Sequence, residues 1–339
     1  MPSLPMLNSL DDIRALLSTL PGPDKQSLTQ AAEREPQLTK PPGSLGRLEE
    51  LSHWLAAWQG RHPPTMESPR AHVFAGNHGV TAQGVSAYPA AVTGQMVGNF
   101  EAGGAAINQL CKAFGITLAV DALDLDRPTA DFTEGPAMSE AETLDAIKRG
   151  MDVVVEGCDV LCLGEMGIGN TTAAAAICHA LYGGSAVDWT GPGTGVQGEA
   201  MSLKTKVVAD AAKLHSGGDG LDILMRLGGR ELAAIAGAII AARLKRVPVL
   251  LDGYVCSAAA STLEATTPGS LDHCQVGHVS SEPGHLRLLG HLNKAALINF
   301  EMRLGEASGA ALAVGLLKAA VACHNGMATF GEAGVSNKD

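Results

Sequence analysis

The segment DVLCLGEMGIGNTT, residues 159–172, determines the fold class. Its apolar start, residues 159–163, predicts a buried strand, and the run AAAAICHAL that follows the segment predicts a helix. A Gly-rich turn between a strand and a helix presents backbone N–H groups and the positive end of the helix to an anion. The segment therefore predicts an α/β protein in which this turn either binds phosphate or is a plain tight turn.

Similar strand candidates recur along the chain. After residue 66, short β-branched or apolar runs alternate with longer Ala-rich stretches, as in a series of βαβ units. Most of these runs lead directly into Gly, His, Asp or Ser. Such residues gather at the carboxyl ends of parallel strands, where open α/β sheets bind ligands. The predicted strands are residues 71–75, 116–121, 159–163, 247–251 and 275–279.

Both ends of the chain have a helical pattern. Residues 8–62 include leucines at helical spacing from Leu45 to Leu55, and a Pro-rich joint follows them. From about Glu282 the pattern turns helical again and stays so to the end. We therefore predict a large α/β sheet domain, residues 66–284, and a smaller helical domain built from residues 1–65 and 285–339.

Composition and charge narrow the class of protein. Lys and Arg total 24 against 35 Asp and Glu, for a formal net charge of -11, and no basic stripe is present to follow a nucleic acid backbone. The apolar runs are too short to span a bilayer, and the N-terminal residues do not form a secretory signal. The seven cysteines are scattered in apolar runs, which indicates reduced core thiols. We expect a cytoplasmic enzyme that binds neither nucleic acid nor membranes.

The Gly-rich turn differs from the two best-known phosphate loops. No Lys follows its last Gly, as a Walker A loop requires, and its glycines lack the spacing of a dinucleotide-binding fingerprint. Glu165 lies inside the turn, where a carboxylate repels phosphate unless it faces another part of the ligand, such as a ribose hydroxyl or a base N–H. A second Gly-rich loop, GPGTGVQG, precedes Lys204, which is either a phosphate-binding cation or a solvated helix lysine.

Glu306 lies in the sequence RLGEASG, just ahead of an apolar helical run. A Glu at such a position is commonly a capping or dipole-compensating residue, with Ser308 as the expected cap. The small residues around it also leave room for a flat ligand. His78, Asp252 and His278 follow predicted strands, but no histidine pair with a carboxylate has the spacing of metal ligands. We expect no metal and no cofactor.

Five motifs together resemble one family. They are KPPGSLGRLE at 40–49, NHGV with SAYPAAVT at 77–93, GEMGIGNTT, LLDG and MRLGEASGAA. From about residue 8 to about residue 330 the sequence is similar to nicotinate-nucleotide:dimethylbenzimidazole phosphoribosyltransferases, with the motifs in the same order. The resemblance implies a doubly wound, Rossmann-like parallel sheet with a second, smaller helical domain built from both chain ends, in a homodimer.

The resemblance also implies site residues. It assigns the catalytic base to Glu306 and a supporting carboxylate to Glu165. The nucleotide phosphate and ribose would contact Gly167, Ile168, Gly169, Asn170, Thr171, Lys204, Ser280 and Ser281, and the base would contact Tyr88, Pro89, Met96 and Leu304. Asn77 and Tyr88 depart from the residues common at these positions in the family, so the sequence leaves the preferred base open.

The implied reaction moves the 5-phosphoribosyl group from nicotinate mononucleotide to 5,6-dimethylbenzimidazole or a related base, for the lower ligand of cobalamin. The pyridine nitrogen is quaternary, so nicotinate leaves without protonation. The attacking benzimidazole must lose a ring proton, which suits a carboxylate whose pKa is raised by burial. Two alternatives stay open: a nucleotide-sensing module without catalysis, and a magnesium-dependent enzyme that uses phosphoribosyl pyrophosphate. The Asp252–Gly253 pair argues against the second, because that loop normally carries two acidic residues.

Overall fold

A six-stranded sheet lies at the centre of the fold, and the computed structural model describes residues 7–336 around it. The strands are β1 Pro69–Ala75, β2 Thr117–Ala122, β3 Val160–Met166, β4 Val249–Leu251, β5 Cys274–His278 and β6 Ala296–Ile298. They are all parallel, in the order β2-β1-β3-β4-β5-β6. The order reverses between β1 and β3, and ligands of open α/β sheets bind at the carboxyl side of such a switch point.

Helices cover both faces of the sheet. Those before the sheet are α1 Leu10–Leu17, α2 Lys25–Arg34 and α3 Arg47–Gln59. Those between strands are α4 Ala91–Glu101, α5 Ala106–Phe114, α6 Glu140–Asp152, α7 Asn170–Tyr182, α8 Ala186–Trp189, α9 Gly198–Leu214, α10 Gly220–Leu227, α11 Arg230–Leu244, α12 Tyr254–Thr266 and α13 Pro283–His291. The last two are α14 Ser308–Gly326 and α15 Phe330–Ala333.

The buried apolar residues form two clusters. One includes residues of α1, α6, α7, α11 and α12, and the other includes residues of α3, α5 and α14. The abundant small residues allow close helix packing: a Cβ at Gly150 of α6 would lie 1.8 Å from the carbonyl oxygen of Ala234 in α11. A side chain at that position would force the two helices apart, which explains why this interface uses Gly and Ala.

The five predicted strands are confirmed, with ends shifted by a few residues. The prediction of continuous helix from Glu282 to the end is wrong, because α13 ends at His291 and residues 296–298 pair with β5. Residues 38–46, within the N-terminal segment predicted to be helical, are also not helical. In the second case a loop containing Pro41, Pro42 and Gly43 separates the helices, because Pro and Gly disfavour helix interiors.

The division into two domains stays a prediction. Strand β6 belongs to the sheet although it lies within the segment assigned to the helical part, and α1 packs in the same cluster as the sheet-flanking helices. Among residues 7–336, no helix combines the length and hydrophobicity that crossing a membrane requires.

Candidate active site

A cavity of about 470 Å³ opens at the carboxyl ends of β3, β4 and β5, next to the switch point of the sheet. Loops that follow these strands form much of its wall. Its lining residues are Tyr88, Val92, Met96, Glu165, Met166, Gly167, Ile168, Asn170, Thr171, Gly193, Thr194, Gly253, Tyr254, Val255, His278, Ser280, Glu282, Arg303, Leu304, Gly305 and Glu306. The cavity has the size of a small-molecule site.

The Gly-rich turn forms one wall of the cavity. It connects the end of β3 to α7, and Gly169 adopts a left-handed φ of 96° at the N-cap of the helix. Within the described residues, no side chain makes a capping hydrogen bond at this helix end. The first turn of α7 therefore presents the positive end of a helix beside the cavity, and Asn170 and Thr171 from that turn line it.

Three glutamates line the cavity, and two of them, Glu165 and Glu306, come from the segments that were predicted to carry the chemistry. Burial, with the nearby charges of Asp252 and Glu231, raises the pKa of Glu165 to about 8, while a hydrogen bond from the Asn170 amide opposes this rise. Burial and the charge of Asp252 raise the pKa of Glu306 to about 7. The Oε2 atom of Glu306 is buried and has no hydrogen-bond partner among residues 7–336. Glu306 can therefore accept a proton near neutral pH.

Lys204 is a buried cation behind the Gly-rich loops. Its Nζ donates hydrogen bonds to Thr171 Oγ1 and to the carbonyl oxygen of Gly191, both at 2.9 Å. Only 1% of Lys204 is exposed, so it is not the solvated helix lysine that the sequence left open. Burial lowers its pKa to about 8, and Glu282 acts in the opposite direction. Lys204 therefore contacts Thr171, which lines the cavity, and lies behind it.

Apolar side chains form the outer wall of the cavity. Tyr88, Val92 and Met96 come from α4 and the loop before it, and Leu304 comes from the segment before α14. Tyr88 and Leu304 are each 55% exposed, which is unusual for large side chains with so much apolar surface. Such a wall suits a flat, mostly apolar ring.

The structure brings most of the predicted site residues together. Four of them do not line the cavity: Gly169, Lys204, Ser281 and Pro89. Gly169 faces Thr81 and His78, since a Cβ at Gly169 would lie 2.8 Å from Thr81 Cγ2. Ser281 and Pro89 are exposed next to the lining residues Ser280 and Tyr88.

Sequence reasoning assigned no role to two charged lining residues. Glu282 accepts a hydrogen bond from the backbone N–H of Gly193 at 2.9 Å, and burial raises its pKa. Arg303 donates to the carbonyl oxygen of Gly193 at 3.0 Å. Their position in the motifs SSEPGH and MRLGE was a usable signal, because Glu282 follows Ser281, which was predicted to bind the nucleotide, and Arg303 precedes Leu304, which was predicted to bind the base.

The expected cap of α14 is wrong. The N-cap is Ala307, and the Ser308 hydroxyl donates to the carbonyl oxygen of Gly305 at 2.7 Å. The free N–H groups of Gly309 and Ala310 donate to the Asp252 carboxylate at 2.7 and 2.9 Å. The cap comes from a strand end that is distant in sequence.

One possible metal-ligand group occurs in the described part of the chain, away from the cavity. It consists of Glu35, His53 and His324, whose donor atoms lie within 4.8 Å of one another. Lys40 forms a salt bridge of 2.8 Å with Glu35, and His324 Nδ1 lies 2.6 Å from the same carboxylate. These partners already occupy both carboxylate oxygens, so the group is explained as a buried ion-pair network.

Comparison with known proteins identifies the family of the chain. The family DBI_PRT, described as phosphoribosyltransferase, matches residues 20–335. A nicotinate-nucleotide--dimethylbenzimidazole phosphoribosyltransferase of Rhizobium leguminosarum bv. trifolii is 59% identical over 97% of this chain and 98% of its own. The enzyme of that name from Ruegeria sp. is 58% identical over 98% of this chain and 99% of its own.

Solved structures give the same result. The crystal structure of CobT from Thermus thermophilus has a TM-score of 0.85 and 41% identity, and it covers 92% of this chain and 100% of its own. A second structure from that organism, described as a nicotinate-nucleotide-dimethylbenzimidazole phosphoribosyltransferase, has a TM-score of 0.86 and 40% identity, and covers 93% of this chain and 100% of its own. The chain therefore belongs to the nicotinate-nucleotide--dimethylbenzimidazole phosphoribosyltransferase family.

Proposed function

We propose that the chain transfers the 5-phosphoribosyl group from nicotinate mononucleotide to 5,6-dimethylbenzimidazole or a related base. The products are α-ribazole 5'-phosphate and nicotinate, for the lower ligand of cobalamin. The observation that carries the proposal is the single cavity that combines a carboxylate of raised pKa, a buried cation beside a helix N-terminus and an apolar wall. The names of the relatives support the same reaction.

The phosphate belongs at the end of the cavity near the Gly-rich loops. Lys204 supplies positive charge behind Thr171, and the N-terminus of α7 adds its dipole. Arg303 lies at the exposed edge of the same region, where its guanidinium already contacts Gly193. Ser280 is the hydroxyl donor on the β5 side of the cavity. These groups favour a phosphoribosyl group held at this end.

The base belongs against the apolar wall formed by Tyr88, Val92, Met96 and Leu304. A benzimidazole stacked there would direct one ring nitrogen towards C1' of the ribose and the ring proton towards Glu306. Glu306 has a pKa of about 7, so a large fraction is deprotonated near neutral pH. Attack from the face opposite nicotinate inverts the anomeric carbon from β to α. Holding two flat molecules in line supplies further acceleration.

Glu165 takes a supporting role in this mechanism. Its pKa of about 8 keeps it mostly protonated at neutral pH, and its hydrogen bond with Asn170 fixes its side chain. A protonated carboxyl can donate a hydrogen bond to a ribose hydroxyl or to the base, and it does not repel the phosphate. This resolves the difficulty that a carboxylate inside an anion-binding turn presents.

The assay that tests the proposal mixes the protein with nicotinate mononucleotide and a panel of bases. We expect release of nicotinate that depends on added benzimidazole, formation of the α-nucleotide, and full activity in EDTA. Nicotinate release without base, or a requirement for phosphoribosyl pyrophosphate and magnesium, would contradict the proposal. The burial of Asp252 also argues against the pyrophosphate-dependent enzyme, because this carboxylate is 1% exposed and does not line the cavity in which a ribose would bind.

The assembly and location are part of the same proposal. Tyr88 and Leu304 line the cavity and are more than half exposed, which supports a homodimer that buries them. Light scattering at micromolar concentration should then give twice the mass of the chain, and a monomeric mass would exclude it. The free cysteines are buried apart from Cys323, which supports a reducing compartment such as the cytoplasm.

A further inference from the structure

Glu306 lies in a turn with an unusual backbone. Gly305, Glu306 and Ala307 have φ angles of 86°, 62° and 63°, so three consecutive residues are left-handed. For residues with a Cβ, this conformation costs roughly 1–2 kcal/mol each. Such a turn persists only where its surroundings hold it in place. The interactions around the turn therefore determine where the Glu306 carboxylate lies.

Close packing and hydrogen bonds hold the turn: Ala307 is fully buried, and a Cβ at Gly164 would lie 2.1 Å from the backbone nitrogen of Ala307. The backbone N–H of Glu306 donates to the carbonyl oxygen of Glu165 at 3.2 Å, and the backbone N–H of Ser308 donates to the carbonyl oxygen of Gly305 at 3.0 Å. Ala307 is the N-cap of α14 and has no side chain that could satisfy the free N–H groups. The Asp252 carboxylate satisfies two of them, and only 1% of Asp252 is exposed.

We propose that Asp252 is a positioning residue for the reaction: it anchors the first turn of α14 and so holds the left-handed turn that presents Glu306 to the cavity. This inference rests on the proposed function, in which Glu306 is the general base. Asp252 follows β4 in the centre of the sheet, so the anchor is a rigid element. Asp252 does not line the cavity, and it acts through Glu306.

The same contact gives Asp252 an electrostatic effect. Its charge adds to burial in raising the pKa of Glu306 and of Glu165, which are the acids that face it from the cavity side. His278 faces it from β5, with Nε2 at 3.7 Å from Asp252 Oδ1. Burial raises the pKa of Asp252 itself, while His278 and the N–H groups of α14 lower it. A change at Asp252 should therefore alter the pH profile as well as the rate.

A second buried acid provides the matched control. Asp159 precedes β3 at the opposite end of the sheet, is 3% exposed, and accepts hydrogen bonds from the backbone N–H groups of Glu67 and Ser68 at 2.6 and 2.8 Å. It resembles Asp252 in burial and in accepting two backbone N–H groups, but it also contacts Arg61 and Thr65, and it lies at the opposite end of its strand from the cavity. A substitution at Asp159 therefore reports the effect of losing a buried carboxylate that accepts backbone N–H groups without a link to Glu306.

The experiment compares Asp252→Asn and Asp252→Ala with the same two changes at Asp159. Asp252→Ala removes the anchor, so we expect kcat to fall by about 100-fold with little change in the KM for nicotinate mononucleotide. Asp252→Asn keeps one acceptor oxygen and should recover part of that rate. In the pH profile of kcat for Asp252→Asn, the rise on the acidic side should move to lower pH, because the lost charge no longer raises the pKa of Glu306. The pH profile of kcat for the Asp159 variants should match that of the wild type.

A further variant tests the backbone argument. Ala307→Gly, added to Asp252→Ala, should restore part of the melting temperature and of kcat, because glycine adopts the left-handed conformation at lower cost. Equal kcat and equal pH limbs in the Asp252 and Asp159 series would overturn the inference. So would failure of both Asp252 variants to fold while the Asp159 variants fold, since Asp252 would then be a general stabiliser. Absence of nicotinate release by the wild-type protein would instead contradict the proposed function.

Discussion

The acids of two regions, the cavity and the helical region around Lys40, have pKa values that move in opposite directions. At the cavity, burial raises the pKa of Glu165 to about 8 and that of Glu306 to about 7. In the helical region around Lys40, burial acts in the same direction on Glu35 and Glu49, but salt bridges of 2.8 and 2.7 Å to Lys40 lower both pKa values. The difference is the presence of a paired cation.

Helix α14 connects the two regions. It has 19 residues and therefore spans about 28 Å, from Ser308 beside the cavity to the turn that contains His324. His324 pairs with Glu35 at one end, and Asp252 binds the N–H groups at the other. The C-terminal end of the helix is thus anchored by the ion-pair network that contains Glu35 and Lys40. Its N-terminal end is anchored by the Asp252 carboxylate.

This contrast separates structural acids from functional acids. A buried carboxylate with a cation stabilises the fold and stays ionised, because breaking the pair would leave an isolated charge. Buried carboxylates without a cation lower stability when they ionise, so their retention needs another explanation. At the cavity the explanation that we propose is proton transfer. Removing a carboxylate at the cavity should therefore lower activity with little change in stability. Removing the cation near Glu35 and Glu49 should lower stability with little change in activity.

The largest effect should come from Glu306→Gln. Gln keeps the shape and one acceptor oxygen but cannot accept a proton, so turnover should fall by roughly 100-fold to 10,000-fold. Nucleotide binding and the melting temperature near pH 6 should stay close to the wild-type values. Single-turnover kinetics and calorimetry measure the two quantities separately.

The double change of Glu165 and Glu306 to Gln is the stricter test. Glu165 lies next to Glu306, and its pKa of about 8 allows it to accept a proton at higher pH. Residual activity of the single variant should therefore disappear in the double variant. Near wild-type formation of the α-nucleotide by the double variant would exclude a carboxylate base and leave substrate alignment as the main source of the rate.

The second effect concerns the helical region. Lys40→Met leaves the buried Glu35 and the partly buried Glu49 without their cation, so the free energy of unfolding should fall by about 3–5 kcal/mol. Activity per folded molecule should not change. Urea denaturation measures the loss, and Lys206→Met is the control, because its pair with Asp210 is exposed and contributes less than about 1 kcal/mol. Similar losses in both variants would refute the contrast.

Much of the fold could be predicted because its strands are locally encoded. Four of the five predicted strands lead into polar or Gly residues, and all five pair in one parallel sheet. Strand β6 could not be predicted, because residues 296–298 lie in a stretch with helical spacing and become a strand only through pairing with β5. Tertiary contact overrides the local preference there.

The site was predicted less completely, for a similar reason. Motifs placed Glu165 and Glu306 near ligand-binding loops, but the cap of α14 comes from Asp252, which lies 57 residues before Gly309 in the sequence. Local pattern alone favoured Ser308 as the cap. It likewise favoured a solvated Lys204, whereas the structure buries that side chain behind Thr171. Contacts between distant segments determine both roles.

The third effect concerns nucleotide binding at the cationic end of the cavity. Lys204→Ala removes the positive charge behind Thr171 and the hydrogen bond to the Thr171 hydroxyl, so the affinity for nicotinate mononucleotide should fall about 10-fold to 100-fold. Affinity for the base alone should not change. Lys206→Ala, two residues along α9 and exposed, is the control for total charge. Calorimetry that gives equal nucleotide affinity for both variants would remove Lys204 from the site.

The smallest effect is a change of stability with pH, and it compares the two regions directly. The pKa of Glu306 is raised to about 7 in the folded protein, so its contribution to stability is complete below its ordinary pKa and is lost as the pH rises through 7. Glu306→Gln removes this loss. The free energy of unfolding of the variant relative to wild type should therefore increase by on the order of 2 kcal/mol between pH 5 and pH 8.

Glu49→Gln is the matched control for this effect. The pKa of Glu49 is lowered, so Glu49 stays ionised in the folded protein throughout that range, and its stability difference should be nearly constant. Urea unfolding at both pH values measures the two slopes, and equal slopes would show that the cavity acids do not differ from the paired acids.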